Sequence, residues 1–327
     1  MRPFTYGAAA DPAAAAARAL AGAEYIAGGT DMLQLLQENI RGPDEIADIN
    51  GLQIAGVTEE PDGAIRVGAL VRLQEAADHP AIRARVAGVA EALEATASPM
   101  VRHMATVGGN LLQRTRCLYF RDATMPCNKR LPGSGCPAQD GENRINAILG
   151  GSEHCIAVQP SDLPVALVAA DAEVLVRRVD GAADCFPMEE FHRPPGDMPQ
   201  IETVLRPGDL IEAIRIPART ADWRSHYLKV RDRASFAWAL ASAAVARRLQ
   251  DGKIAEVRIA VGGVATKPWR LLKVEQTLLG GPLEPGIIAR AADQATQGAS
   301  PRSGNGYKLP LLRNTVERAL LDLGGFA

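Results

Sequence analysis

Tyr25-Ile26-Ala27-Gly28-Gly29-Thr30-Asp31-Met32-Leu33-Gln34-Leu35-Leu36 is the stretch on which the fold turns. An apolar run breaks on two glycines, and apolar residues resume at helical spacing through Met32, Leu33, Leu35 and Leu36, so the order is strand, glycine turn, helix. Paired glycines let a backbone pass close to a ligand. Thr30 and Asp31 are cap residues for the helix behind them, whose first N–H groups suit an anion such as a pyrophosphate. The same turn also serves to start a helix with no ligand at all. It lacks Gly-x-Gly-x-x-Gly, so a Rossmann site is not indicated.

A second turn, Thr106-Val107-Gly108-Gly109-Asn110, follows a helix-like stretch over residues 81–96 and the loop from Ser98 to Met104. Two such turns can clamp the two halves of a dinucleotide diphosphate, with the Asn110 amide adding a specific hydrogen bond. Pro160-Ser161-Asp162 opens the apolar run from Leu163 to Ala170; a ligand contact and a plain helix cap fit it equally. Outward from these, Asp11, Pro12 and Gly22 bound an alanine-rich helix over residues 12–21. Strand-like runs cover residues 64–69, 173–178, 210–216 and 257–264, and helical spacing returns at 270–279 and 311–323. Pro217 to Asp222 interrupts the pattern and marks the expected joint between domains.

With 327 residues, 47% of them hydrophobic and 23% charged, the chain is long enough for two or three well-filled domains. Its 36 basic and 38 acidic residues create no general field for nucleic acid, so no nucleic-acid partner is expected. No window approaches the roughly 18 apolar residues of a membrane span, and the first residues show no apolar signal core.

Four of the five cysteines, Cys117, Cys127, Cys136 and Cys155, fall in one short segment. Arg114, Arg116, Arg121, Lys129 and Arg130 crowd the first part of it against one acid, Asp122. Such local positive charge suits an anionic thiolate centre. Spacings of nine, eight and eighteen intervening residues contain no Cys-x-x-Cys pair, a poor match to structural zinc. Iron-sulfur cluster, zinc and disulfides all stay open at this point, although the odd cysteine count disfavours disulfides. Glycines in Leu131-Pro-Gly-Ser-Gly-Cys136 bring N–H groups within reach of sulfur. Cys185, alone in a strand-like setting, reads as a packed hydrophobe.

Taken together, Ala27-Gly-Gly-Thr-Asp31, Ala105-Thr-Val-Gly-Gly-Asn110, Pro160-Ser-Asp162, Lys229-Val-Arg-Asp-Arg233 and Gly262-Gly-Val-Ala-Thr-Lys-Pro-Trp-Arg270 resemble the FAD-binding medium subunits of the molybdenum hydroxylases, the xanthine oxidase family. Gln113-Arg-Thr-Arg-Cys117, Cys127-Asn-Lys-Arg130 and Pro132-Gly-Ser-Gly-Cys136 narrow the likeness to the flavoprotein subunit of bacterial periplasmic aldehyde oxidoreductase. The resemblance implies an α+β fold: an FAD-binding module of the vanillyl-alcohol-oxidase (PCMH) type in two subdomains over residues 1–220, then a C-terminal α/β flavoprotein domain of the CO-dehydrogenase type over 221–327. It further implies that Ile26, Ala27, Gly28, Gly29, Thr30, Asp31, Met32 and Leu33, with Thr106, Gly108, Gly109 and Asn110, hold the FAD diphosphate. Ser161, Asp162 and Lys229 contact the cofactor further along. By the same comparison Cys117, Cys127, Cys136 and Cys155 ligate a [4Fe-4S] cluster in an insertion over about residues 112–158.

No Ser-His-Asp order, His-Glu-x-x-His motif or local carboxylate pair offers chemistry of its own. The five histidines are scattered, and only His154, beside Cys155, is a candidate donor to sulfur. The resemblance accounts for this. It implies partners: a molybdopterin-containing large subunit that oxidises substrate, a [2Fe-2S] small subunit, and an external electron acceptor that takes electrons from the flavin. A stand-alone flavin oxidase of the same wider fold is the alternative. Location would be periplasmic, by co-export with a partner, or cytoplasmic.

Overall fold

In the computed structural model, which describes residues 1–326, three sheets are arranged in chain order. The first comprises β1 (Thr5–Ala8), β2 (Glu24–Ile26) and β3 (Glu45–Asp48), with β3 central and all three parallel. Parallel neighbours need a crossover, and the alanine-rich helix Pro12–Leu20 supplies it between β1 and β2. The Asp11 side chain accepts from Ala14 N–H at 2.8 Å, Pro12 sits in the first turn and Gly22 leaves the helix at φ 105°, as the sequence predicts. Asp11→Ala is expected to lower stability by about 1 kcal/mol; an unchanged denaturation midpoint would refute the cap.

The second sheet, antiparallel throughout, contains β4 (Val57–Glu59), β5 (Ile65–Gly68), β6 (Glu173–Arg177), β7 (Ala183–Pro187) and β8 (Leu210–Ile216) in the order β4-β5-β8-β6-β7. The stretch read as one helix over residues 81–96 is two, Pro80–Arg85 and Ala87–Ala95, broken at Val86. Cys185, expected to be packed, lies on an exposed position of the edge strand β7.

The third sheet holds β9 (Trp223–Val230), β10 (Ala241–Gln250), β11 (Lys253–Gly262) and the short β12 (Trp269–Arg270), again antiparallel. Its two faces serve different cores. Ala241, Ala243, Val245, Ile259 and Val261 face the cluster that includes the C-terminal helix Lys308–Gly324, whereas Ala244, Ala260 and Tyr227 join the core of the preceding module. A third, smaller cluster gathers Cys117, Cys127, Cys155, Phe120 and Ile156 beside Leu35. Among the described residues no helix is long and apolar enough to cross a membrane.

Candidate functional site

At the C-terminal ends of the parallel strands, where ligands commonly sit in open α/β sheets, lies a cavity of about 420 Å³. That is within the range of small-molecule sites, roughly 300–1,000 Å³. Its walls bring together Ile26, Ala27, Gly28, Gly29, Thr30, Asp31, Met32, Thr106, Gly108, Gly109, Asn110, Asp162 and Lys229. Of the residues expected from sequence, Leu33 and Ser161 do not line it. Leu33 is exposed on the helix Met32–Gln37, and the buried Ser161 hydroxyl hydrogen-bonds Asn110 Oδ1 from behind the wall.

The first glycine turn keeps donors free. Among the described residues, the N–H groups of Gly29, Thr30, Asp31 and Met32 have no acceptor within the chain. Gly29 has φ 70°, a conformation that side-chain-bearing residues rarely adopt. Gly28 is required for another reason: a Cβ there would lie 2.0 Å from the Met104 carbonyl oxygen. Its closest approach is therefore to the chain itself. Asn50 Nδ2 donates to Ala27 O at 2.9 Å, and Arg72 holds both Met104 O, at 2.5 Å, and Asn50 Oδ1, at 3.2 Å.

The second turn differs from the clamp expected of it. Residues 107–111 form a short helix capped by the Thr106 hydroxyl, which accepts from Gly109 N–H at 3.2 Å. Val107 and Gly108 N–H donate to Val71 O and Ala69 O, and Asn110 N–H to Thr106 O. These donors are spent within the fold, so the segment contributes surface and the exposed Gly109 rather than a cradle of N–H groups.

Asp31 was expected to cap a helix, and for Asp162 a cap and a ligand contact fitted equally; neither side chain makes a cap bond. The Asp31 carboxylate accepts from Arg114 N–H at 2.8 Å and pairs with Arg116 at 2.7 Å and Arg121 at 3.0 Å. Burial alone would raise its pKa, but Arg116, the Arg114 N–H and Arg121 outweigh that and hold it below the usual range. Asp162 forms a buried pair with Lys229 Nζ at 2.7 Å, accepts from Tyr227 OH at 2.6 Å, and has Thr96 Oγ1 at 3.4 Å. Lys229 also donates to Ala95 O at 3.1 Å.

Sequence reading missed part of the lining: Arg41, Arg116, Asp209, Phe236 and Trp238. The last two are exposed aromatics on the loop between β9 and β10, and Arg116 stacks 4.6 Å from the Trp238 ring centroid. Two aromatics, Phe236 and Trp238, in the short run between Arg231 and Leu240 were the available signal.

The four clustered cysteines also converge. Cys117, Cys127, Cys136 and Cys155 line one buried cavity with Tyr119, Asn128, Lys129, Asn146 and His154, and all five cysteines are free thiols, which removes the disulfide alternative. The cavity itself is about 10 Å³, room for about one water-sized sphere, so the fit to a metal centre rests on the donor set. Ala157 N–H points at Cys155 Sγ at 3.4 Å, Asn146 Nδ2 at Cys117 Sγ at 3.6 Å, and the N–H groups of Ile156 and Ala138 at Cys136. Burial pushes the Cys155 thiol up to about 11 and raises Cys136, with Lys129 opposing at Cys155. Thiols raised in this way stay protonated at neutral pH, and binding a metal would displace the proton. Among the described residues, no three His, Cys, Asp or Glu side chains converge as a single ion would require. His154 reaches Asp197 at 3.6 Å rather than a sulfur.

The basic residues around this segment do not stand as a free positive collar. Arg114 and Lys129 pair with Glu202, and Arg116 and Arg121 with Asp31. Arg130 donates to the carbonyls of Tyr119, Phe120 and Asp122 at 2.9, 2.8 and 2.6 Å. Their work is to stitch the insertion to the helix that follows the first glycine turn and to the loop before β8. The two carboxylates offset part of this positive charge, and Lys129 still acts on the Cys155 thiol.

A family model described as the FAD binding domain in molybdopterin dehydrogenase matches residues 2–219, and one described as the CO dehydrogenase flavoprotein C-terminal domain matches residues 226–323. The chain is 43% identical over 326 residues, 98% of each chain, to the aldehyde oxidoreductase FAD-binding subunit PaoB of Escherichia coli strain K12. It is 24% identical to the glyceraldehyde dehydrogenase medium chain of Sulfolobus acidocaldarius, over 85% of this chain and 81% of that one. Among solved structures, a Hydrogenophaga pseudoflava carbon monoxide dehydrogenase that lacks the Mo-pyranopterin moiety of its cofactor superposes with TM-score 0.77, covering 99% and 98% of the two chains at 23% identity. Quinoline 2-oxidoreductase of Pseudomonas putida 86 does so with TM-score 0.76, over 100% and 98% at 20% identity. At those identities the structural likeness is one of fold.

Proposed function

This chain belongs to the family of FAD-binding medium subunits of the molybdenum hydroxylases, and we propose that it is the FAD- and [4Fe-4S]-containing electron-transfer subunit of a heterotrimeric molybdenum-dependent aldehyde oxidoreductase. In this role it takes electrons from a [2Fe-2S] subunit, itself fed by the molybdopterin subunit, and passes them through FAD to an external acceptor. One observation carries the reading: a single chain presents a pocket of about 420 Å³ walled by the first glycine turn and, apart from it, a cavity lined by four free cysteines, three of them buried.

Among the described residues the pocket lining contains no His, Cys or Ser side chain to act as nucleophile or base, and its carboxylates Glu24, Asp31, Asp162 and Asp209 are all committed to ion pairs. Bound FAD would supply one- and two-electron chemistry there. The free N–H groups of Gly29 to Met32 suit its diphosphate. Arg41 and Arg116 stand on the same wall in ion pairs with Glu24 and Asp31, and the Asp162–Lys229 pair stiffens the far side without adding net charge. Cys117, Cys127, Cys136 and Cys155 would hold the cluster. The N–H groups aimed at Cys117, Cys136 and Cys155 would suit thiolates bound to it.

Co-purifying the chain with its neighbours and measuring flavin, iron, acid-labile sulfide and molybdenum tests the proposal, and fractionating the complex between periplasm and cytoplasm places it. The isolated chain should carry flavin and iron and oxidise no aldehyde. Colourless, iron-free protein after anaerobic purification would count against it, and substrate-dependent bleaching without partners would replace it by a stand-alone flavin oxidase. Cys127→Ser is expected to lose most of the iron while keeping wild-type flavin, since the two cavities have separate linings. Equal iron in variant and wild type would remove Cys127 from the ligand set.

A further inference from the structure

The insertion returns from the cysteine cavity through residues 143–147, and this limb is held by the C-terminal part of the chain. Gly304 N–H donates to Asn143 Oδ1 at 2.8 Å, Tyr307 OH to Arg144 O at 3.1 Å, and Asn305 Nδ2 to the carbonyls of Asn146 and Ala147 at 3.3 Å each. Lys308 stands at the centre. It is 0% exposed, and its ammonium donates to Gly263 O at 2.7 Å and to Ile145 O and Asn146 O at 3.0 Å each.

Three donors meet three acceptors, so the ammonium is satisfied in its hydrogen bonds. What it lacks is a carboxylate. Burial pushes it down to about 7, and the neighbouring charge of Arg144 pushes the same way. A buried cation without a counter-charge is costly, and an anion nearby would relieve that cost while favouring the ammonium form. The residue whose backbone oxygen Lys308 grips is the one that reaches the thiols: Asn146, 2% exposed, donates through Nδ2 to Cys117 Sγ at 3.6 Å and to Ile156 O at 3.4 Å. Arg114, Arg116, Arg121 and Lys129, by contrast, each have a carboxylate partner, Asp31 or Glu202.

We propose that Lys308 and Asn146 are positioning residues for the cysteine centre: Lys308 fixes Asn146 and places an uncompensated positive charge behind it, and Asn146 donates to the Cys117 sulfur, so that together they hold the reduction potential of the cluster up. The inference rests on the [4Fe-4S] reading above. Its physical basis is that a positive charge and a hydrogen bond to a ligand sulfur both favour the more negative, reduced state. It assigns the C-terminal unit a part in the redox centre although none of the four cysteines lies in it.

The test uses the purified multi-subunit complex and reads flavin, iron, sulfide and the cluster's midpoint potential in an EPR-monitored redox titration. Lys308→Met and Asn146→Ala should each retain flavin and shift the oxidised-to-reduced equilibrium of the cluster at least tenfold toward oxidised, about 59 mV lower for one electron. Should Lys308→Met fail to accumulate, Asn146→Ala decides, because it preserves the backbone oxygen that Lys308 uses. Loss of iron with flavin retained in Asn146→Ala also supports the positioning role. Full iron at wild-type potential in Asn146→Ala overturns it while leaving the cluster reading intact. Iron-free wild-type complex sinks that reading and this inference with it.

Discussion

Gly28→Ala is expected to strip flavin from the protein and to destabilise the module that binds it. The added Cβ would sit 2.0 Å from the Met104 carbonyl oxygen, 2.8 Å from its carbon and 3.0 Å from Ala105 Cα, all backbone atoms that no rotamer change can move aside. Overpacking of side chains costs about 1–3 kcal/mol, and a clash against main chain belongs at or above the top of that range. Relief would require the first glycine turn to separate from the segment at Met104–Ala105, which leads into the Thr106 cap and the second glycine pair. Both segments line the pocket, so the geometry of the free N–H groups at residues 29–32 would go with it. Gly51→Ala is the control, since nothing lies within 4 Å of its added Cβ and it does not line the pocket. Flavin stoichiometry from the visible spectrum and denaturation midpoints for both variants decide the matter. Wild-type flavin in Gly28→Ala would show that the two segments do not need this contact to form the site.

This contact also marks what the sequence could and could not convey. That Gly28 must be glycine is legible from the strand-turn-helix pattern, but the reason is not. From sequence the glycine pair looks like a close approach to a ligand, whereas one of the two makes its close approach to a loop over seventy positions away. The same holds for charge. Five basic residues beside four cysteines read as a counter-charge, and only the three-dimensional positions of Asp31 and Glu202 show four of them already paired. Asp31 itself sits where a helix cap belongs and binds three arginines' groups instead. Local patterns succeed where the physics is local, as at Asp11 with its Ala14 N–H. They fail for β9 and β10. Ala241-Ser-Ala-Ala-Val-Ala246 is alanine-rich, a composition that favours helix, yet it forms a central strand because both of its faces are buried, one beneath the Lys308–Gly324 helix and the other against the flavin module. A strand covered on both sides has no polar alternation to announce it. The cysteine group and the two glycine segments were legible because few side chains can do what they do.

Lys229→Met should cost about 3–5 kcal/mol of stability, the amount typical of removing one partner from a buried ion pair. The side chains of Lys229 and Asp162 are 3% and 4% exposed, so solvent does not screen the carboxylate left behind. Tyr227 OH at 2.6 Å and Thr96 Oγ1 at 3.4 Å would still face Asp162, but neither supplies charge. The pair joins β9 of the C-terminal sheet to the start of the helix Leu163–Ala169, with Ala95 O also bound to the Lys229 ammonium. Its loss therefore loosens three segments where they meet the pocket wall. The double variant Asp162→Leu with Lys229→Met removes both charges together and is expected to recover most of the lost stability, because the cost lies in the stranded charge rather than in the missing attraction. Flavin affinity should not recover with it, since both residues line the pocket and an aliphatic pair cannot reproduce their polar surface. Denaturation followed by tryptophan fluorescence, with flavin titration of each variant, separates the two effects. A loss below about 1 kcal/mol in Lys229→Met, the scale of an exposed ion pair, would mean that the carboxylate finds water or a proton on its own and that the pair does not brace the site.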